Sequence, residues 1–521
     1  MNVAFDDWIP VVEVSGTRKL VSLCDVLVEG DKYADLAVRP HERVSLMRLF
    51  LCVAHAALEG PKDYDEWCEA PEKLPVAVGN YLANWRDSFE LFHSVKPWLQ
   101  IPALSRTAEA GGKEDNAADW TPVSKLNLAL SSGNNSTIFD HGALDPNRRV
   151  PIEETILSML AYQCFSTGGL IAQVYWKGTK TNKSSKDGPC IPGSMTHAFL
   201  RGTTLGETVQ LNLVTHENIR VAYGDLPIGQ PVWEKMPASF ADAAAVENAT
   251  KTYIGRLVPL TRITKLSPGG QRMLLGDGLV YPTFADGFAP EPTATVAVRR
   301  EKRTLVSYHP GKAIWRELAA ITAKRAATGT GGPLALDALQ EGTACDLIVG
   351  ALARNQASIV NSFESVFHVP PRFRTQEGTS AYEGEVKAAE ALASRLGWAV
   401  ETYRLDLDAG WPGRLKAAGP KKGVLKARLH ALATTHYWTS IENHLPLLMR
   451  YVENIGSDAA TPAREAWRTE IFAAGCEAYR VACGQETPRQ VRAFAKGWER
   501  LTAKRDEVEP DEPESTEEEA I

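Results

Sequence analysis

A proline pair, Pro370-Pro371, divides the 521-residue chain into two stretches that no single regular element can join. Proline fixes φ and lacks an N–H, so neither a helix nor a central strand runs through the pair. Upstream, short apolar runs, turn clusters and helical periodicities alternate. Downstream, strand signals almost vanish and helical segments follow at 383–396, 424–452, 460–483 and 487–504. Four helices with short connections predict a bundle. The sequence therefore predicts an α+β chain in four parts. They are a large mixed α/β N-terminal domain (1–367), a linker (368–379), a C-terminal four-helix bundle (380–504) and an acidic tail (505–521).

Within the first part, Trp8–Val14 and Lys19–Leu23 read as short strands, and Val44, Met47, Leu51 and Ala54 recur at helical spacing over 39–59. Asp63–Ser94 reads as helical on both sides of Lys73-Leu74-Pro75. Its stripe of Tyr81, Trp85, Phe89 and Phe92 forms either a core face or a base-stacking platform. Ile152–Phe165 reads as a helix ending at Ser166-Thr167-Gly168-Gly169. Residues 200–235 and 253–310 read as short strands and turns, 311–327 and Leu334–Phe367 as helices.

Charge and composition exclude several classes. Hydrophobic residues make up 44% and charged residues 23%, which rules out wholesale disorder. The formal charge is −7, but residues 506–521 carry nine acidic and no basic side chains, leaving residues 1–505 at +2. Such a like-charged, proline-interrupted run cannot bury a core and is expected to be disordered. The N-terminus is acidic where a signal peptide needs basic residues, and Arg48 and His55 interrupt the longest apolar stretch. A cytoplasmic protein outside the membrane is expected. Eight scattered cysteines without a Cys-x-x-Cys pair read as reduced thiols. No His-Glu-x-x-His, Gly-x-Ser-x-Gly or metal-ligand spacing occurs, so neither a catalytic residue, a metal site nor a cofactor is nominated.

Four motifs remain. Lys177, Lys180, Lys183 and Lys186 recur every three residues among small hydroxyl side chains, a cationic strip suited to phosphates or to plain solvation. Gly168-Gly169 follows a helix, where glycine either caps it or lets backbone approach a groove floor. Ser131–His141 is a polar loop with one aromatic, Phe139. Arg354-Asn355-Gln356, placed at or near a helix start, offers amide ends that either cap or hydrogen-bond bases.

In order and spacing, a set of anchors resembles the CasA-type large subunit of the type I-E CRISPR surveillance complex, Cascade. They are Asp7-Trp8-Ile9-Pro10, Trp85 and Phe89 through His93, Pro97 and Gln100, Ser132-Gly133 with Phe139, Gly168-Gly169, Asn355-Gln356-Ala357-Ser358-Ile359, and His436-Tyr437 with Pro446. The resemblance spans about residues 4–500. It implies the same two-part fold and a non-enzymatic subunit that recognises a protospacer-adjacent motif (PAM) in duplex DNA, helps open the duplex for crRNA pairing and recruits a helicase–nuclease. Its partners would be other Cascade subunits, crRNA and target DNA. By the same resemblance, Asn134, Asn135, Phe139 and His141 belong to a loop touching crRNA and neighbouring subunits. Gly168 and Gly169 meet the PAM, and Asn355 and Gln356 form a duplex wedge. No lysine occupies Gly270-Gln271-Arg272, where the family carries a lysine finger, and Arg272 is its substitute. The phosphate role of the four lysines comes from their spacing alone. Two competing readings are a scaffold that never touches DNA and an unrecognised nuclease or hydrolase.

Overall fold

The computed structural model describes residues 1–107, 120–130, 148–326, 328–409 and 419–503. Asn134, Asn135, Phe139, His141 and the acidic tail lie outside these residues. The chain divides into two compact units, Met1–Val369 and Pro370–Ile521.

The first unit opens with the antiparallel sheet β2-β1-β3, formed by β1 (Ile9–Glu13), β2 (Arg18–Val21) and β3 (Tyr33–Leu36), with α1 (Leu23–Val28) between the last two. A capping box of Ser22 and Asp25 starts α1, satisfying two otherwise orphaned donors. Helix α2 (Pro40–Leu58) begins with proline in its first turn, and every residue from His41 to His55 is buried. A helix apolar or paired on all sides belongs at the centre of a core. Its one fully buried guanidinium, Arg48, meets Glu291 at 2.8 Å, and Arg256 completes the triad on the other carboxylate oxygen. Two guanidiniums hold the Glu291 carboxyl down at about 2 against the opposing effect of burial. Helix α3 (Tyr64–Asn84) starts on an Asp63 cap and runs through Pro71 and Pro75. Of the aromatic stripe, Phe89 is fully buried, Tyr81 and Trp85 pack on the core and Phe92 is exposed, so the core reading holds.

Small sheets and short helices follow. β4 (Leu104–Ser105) pairs with the hairpin of β7 (Tyr175–Trp176) and β8 (Thr179–Lys180), and β6 (Gly169–Leu170) pairs with β9 (Ser184–Ser185). α4 spans Ile152–Phe165, the range expected from the sequence. β5 (Thr121–Pro122) joins β11 (Arg262–Leu266) and β12 (Arg272–Asp277), and β10 (His197–Arg201) joins β15 (Cys345–Asn355) and β16 (Ser358–Val369). β13 (Val296–Arg299) and β14 (Lys302–Leu305) form a separate hairpin.

Three expectations are corrected here. Residues 200–235 hold two helices, α5 (Leu205–Leu211) and α6 (His216–Tyr223), each capped by a threonine, Thr204 and Thr215. α7 (Ala243–Lys251) and α8 (Tyr253–Leu257) come next. The helix expected over 311–327 is a 3-10 turn, Ile314–Glu317, and one short helix, α9 (Leu318–Ile321). The helix expected over Leu334–Phe367 is a 3-10 turn, Leu334–Ala338, followed by the long β15–β16 hairpin. Continuous burial from Leu347 to Ala353 leaves no alternation to betray a strand.

The second unit begins within the stretch read as a linker. A 3-10 turn covers Pro371–Arg374, and α10 (Gln376–Ala409) starts two residues later. α11 (Gly419–Glu442) and α12 (Leu445–Glu453), with Pro446 in the latter's first turn, make one bent limb, followed by α13 (Ala460–Ala482) and α14 (Pro488–Thr502). Four limbs result. Fully buried Glu385 on α10 takes Arg464 (2.6 Å) and Arg468 (2.9 Å) from α13. The Tyr437 hydroxyl on α11 donates to the Ala389 carbonyl at 2.8 Å. Asp406 pairs with Arg492 of α14 at 2.8 Å.

Candidate nucleic-acid interface

The C-terminal residue of α4's frame decides what its glycines do. Ser166 caps the helix with φ −59° and ψ 131°, so neither glycine serves as a left-handed cap. Gly168 instead faces a tight crossing. A Cβ there would stand 2.9 Å from the Ser185 carbonyl oxygen and 3.1 Å from Asp187 Oδ1, too close for any side chain. Gly169 has φ +140°, a region L side chains rarely adopt, and it is exposed with open space where a side chain would be. Of the two glycines only Gly169 is thus open toward solvent, while Gly168 is half-buried. Leu170 beside it is 84% exposed.

Asn355 and Gln356 lie at a hairpin tip rather than on a helix. β15 and β16 pair up to Asn355 and Ser358, leaving Gln356-Ala357 as a two-residue turn, and Val360 forms a bulge just behind it. Bulges re-aim the residues beyond them. Gln356 has φ +52°, a conformation that costs a non-glycine residue about 1 kcal/mol or more and persists only where neighbours enforce it. Both amide side chains are exposed.

Asp187 brings the two motifs together. Its Oδ1 accepts the Gly168 N–H at 2.7 Å, and its two carboxylate oxygens receive Arg354 Nη1 and Nη2 at 2.8 and 2.7 Å. Bidentate geometry of this kind fixes both position and orientation. The Thr167 hydroxyl adds a bond to the Ala357 carbonyl at 3.1 Å, in the turn itself. Beneath them, buried Arg262 donates to the Thr167 and Lys186 carbonyls, both at 3.0 Å. Burial pulls this guanidinium's pKa down, opposed by Tyr162, Asp277 and Asp187 around it. Neither Asp187, Thr167 nor Arg262 stands out in the sequence. The only local signal is Lys186-Asp187-Gly188, which marks a turn.

Two of the four lysines adjoin this junction, and the other two lie on the neighbouring hairpin. Lys183 and Lys186 flank β9, the strand paired with Gly169-Leu170, and the Ile171 N–H donates to the Lys183 carbonyl at 3.0 Å. Lys177 sits in the turn of the β7–β8 hairpin, and Lys180 lies 5.8 Å from the Tyr175 ring centroid. All four are exposed, and among the described residues none joins an ion pair within 4.0 Å. The strip is thus partly a hairpin rather than wholly a loop. Asn182 anchors it to Asp277 at 2.8 Å.

Arg272 stands apart. It occupies the opposite end of β12 from Asp277, five residues or roughly 17 Å along the strand. Its Nη1 donates to the Trp120 carbonyl at 2.7 Å. Among the described residues, no three His, Cys, Asp or Glu side chains gather as metal ligands. His41, His55 and His197 are buried, with burial holding their pKa values at about 3, 4 and 4, which makes them neutral packing residues. No helix among the described residues is long and apolar enough to cross a membrane.

Residues 2–478 match the sequence model of a family described as CRISPR-associated protein Cse1. A curated relative, the CRISPR-associated protein CasA/Cse1 of Thermus thermophilus, is 26% identical over 502 residues, covering 92% of this chain and 91% of its own length. The solved structure of Thermus thermophilus CasA (Cse1) shares the fold with a TM-score of 0.74 at 21% identity, over 96% of this chain and 98% of that one. Thermobifida fusca Cse1 gives 0.73 at 19% identity, over 96% and 98%. A chain from a CRISPR RNA-guided surveillance complex gives 0.71 at 19%, over 96% and 99%.

Proposed function

Because the chain belongs to the CRISPR-associated protein Cse1 family, we propose that it serves as the DNA-reading large subunit of an RNA-guided surveillance complex. Its partners are the other subunits and crRNA of that complex, and it works in the cytoplasm. It recognises a short motif flanking the target in duplex DNA, opens the first base pairs for crRNA pairing and recruits a helicase–nuclease. It makes and breaks no covalent bond itself.

The observation that carries this reading is the Asp187 junction, which ties the Gly168 backbone to Arg354 at the base of the amide turn. A bare glycine backbone suits the minor groove, whose degenerate donor–acceptor pattern permits several related motifs to be accepted. Exposed amide tips beside it suit insertion under a base step, at a cost of a few kcal/mol per step that wider contact offsets. Once a few pairs open, exchange of DNA pairing for guide pairing is nearly balanced, so the subunit has only to nucleate it. Lys177, Lys180, Lys183 and Lys186 supply phosphate contacts that hold register without reading bases.

A mobility-shift assay of the assembled complex, with and without this chain, tests the proposal on targets that differ only in the flanking trinucleotide. Discrimination among trinucleotides should require the chain. Equal binding with and without it would favour a scaffold, and metal-dependent DNA cleavage by the purified chain would favour a nuclease.

A further inference from the structure

A cavity of about 240 Å³ opens beside the lysine hairpin, apart from the glycine–amide junction. Its walls include Trp176, Trp233, Met236 and Pro237. They are fixed from behind. Trp176 stands edge-to-face on Phe240 with centroids 4.7 Å apart, and the Trp233 indole N–H donates to the Tyr81 hydroxyl at 2.8 Å. Two features interrupt this apolar lining. Ser88, only 4% exposed, is one of the lining residues, and its hydroxyl has no hydrogen-bond partner among the described residues. Lys96 and Lys177 also line it, both reaching solvent, with Lys96 Nζ 3.8 Å from Asp87.

These features restrict the occupant. The volume lies below the roughly 300–1,000 Å³ of ordinary small-molecule sites, so it accommodates one ring system rather than a whole nucleotide cofactor. A buried hydroxyl without a partner costs free energy that a polar group on the occupant would recover. Ammonium groups at the opening call for negative charge attached to the ring. A flat ring with a hydrogen-bonding edge, joined to phosphate, meets all three demands. Lys177 is also the first lysine of the strip that ends at the glycine loop, so a strand held by that strip is led to this cavity.

We propose that the cavity takes one unpaired nucleobase of a single DNA strand, its ring against the Trp176–Met236 wall, its edge on the Ser88 hydroxyl and its flanking phosphates at Lys96 and Lys177. The inference rests on the reading of the chain as a duplex-opening subunit and adds a place for a freed base. It is distinct from the amide wedge, which separates the strands.

The purified full-length chain is titrated with a backbone of about five nucleotide units, abasic except for one central 2-aminopurine, and with the same backbone fully abasic. Base–aromatic contact is expected to quench the 2-aminopurine emission and to tighten binding roughly tenfold over the abasic control. Ser88→Ala should weaken binding of the base-bearing strand roughly two- to tenfold and leave the abasic one unchanged. Ala103→Trp, on the exposed edge of the cavity, should erase the difference between the strands while retaining all four strip lysines. Equal affinity for the two strands in the unmodified chain overturns the proposal, as does a difference that survives Ala103→Trp. So does an acidic aromatic peptide that quenches no base but displaces the strand and binds more tightly than it. Duplex opening by the assembled complex is scored in parallel. Loss of opening with base discrimination intact overturns the opening reading alone, and the reverse pattern overturns the cavity alone.

Discussion

Asp187→Asn isolates the link on which the proposed interface depends. The substitution keeps the side chain's size and one oxygen to accept the Gly168 N–H, but it removes the negative charge and the second acceptor of the Arg354 pair. A hydrogen bond to a charged group contributes about 1.5–3 kcal/mol, and exposed pairs far less. Here the two side chains are 22% and 25% exposed, so the loss should lie near the middle of that range, about 2 kcal/mol. At about 1.4 kcal/mol per tenfold, the junction would open some 30 times more often. The Gly168 amide should then exchange with deuterium correspondingly faster, while amides of the buried strand β15 stay protected. Duplex opening by the assembled complex should fall by a similar factor, with assembly unchanged. Unaltered exchange at Gly168 would refute the energetic argument. Faster exchange with normal duplex opening would refute the functional one.

Other expectations follow from the same geometry. Replacing Lys177, Lys180, Lys183 and Lys186 by alanine should weaken binding on every sequence and lower the salt slope by up to about 4, and an equal slope would rule out phosphate contact. Gly168→Ala pushes a methyl group into the Ser185 carbonyl and should cost about 1–3 kcal/mol of local stability, read as protease sensitivity of the 166–188 segment, whereas a neutral outcome would contradict the crossing described here. Glu291→Gln leaves Arg48 and Arg256 buried without a counter-charge and should lower unfolding stability by about 3–5 kcal/mol in a urea melt. The Glu291 carboxyl is held at about 2, below its ordinary value, so its contribution is complete above about pH 4.3 and drains away as pH falls toward 2. Stability that stays flat through that window would contradict the triad's role.

The parts of this fold with clear boundaries are legible in the sequence. α4 shows as an apolar run long enough for a helix, bounded by Pro151 and by Ser166-Thr167-Gly168-Gly169, and the helical limbs after Pro370-Pro371 show because nothing competes with them. β15 does not show, because an unbroken apolar run such as Leu347–Ala353 has no alternation to separate a buried strand from a buried helix, and its partners β10 and β16 decide. α5 and α6 are missed because each is only about two turns long, although Thr204 with Glu207 and Thr215 with Asn218 mark their starts. At the proposed interface, Gly168-Gly169 and Asn355-Gln356 stand out by composition and by resemblance. Asp187, 167 residues from Arg354, does not, since no local pattern encodes a bond across that separation. Arg272 illustrates the converse. It occupies the matching place in the sequence, yet it spends its guanidinium on the Trp120 carbonyl at the far end of β12.

The amide turn can be tested where it is proposed to act. With 2-aminopurine at the first target base pair beside the flanking motif, complexes carrying Asn355→Ala and Gln356→Ala should assemble and bind the flank, yet fail to raise the fluorescence that reports unstacking. A rise as large as with the unmodified chain would contradict the claim that these two side chains part the strands.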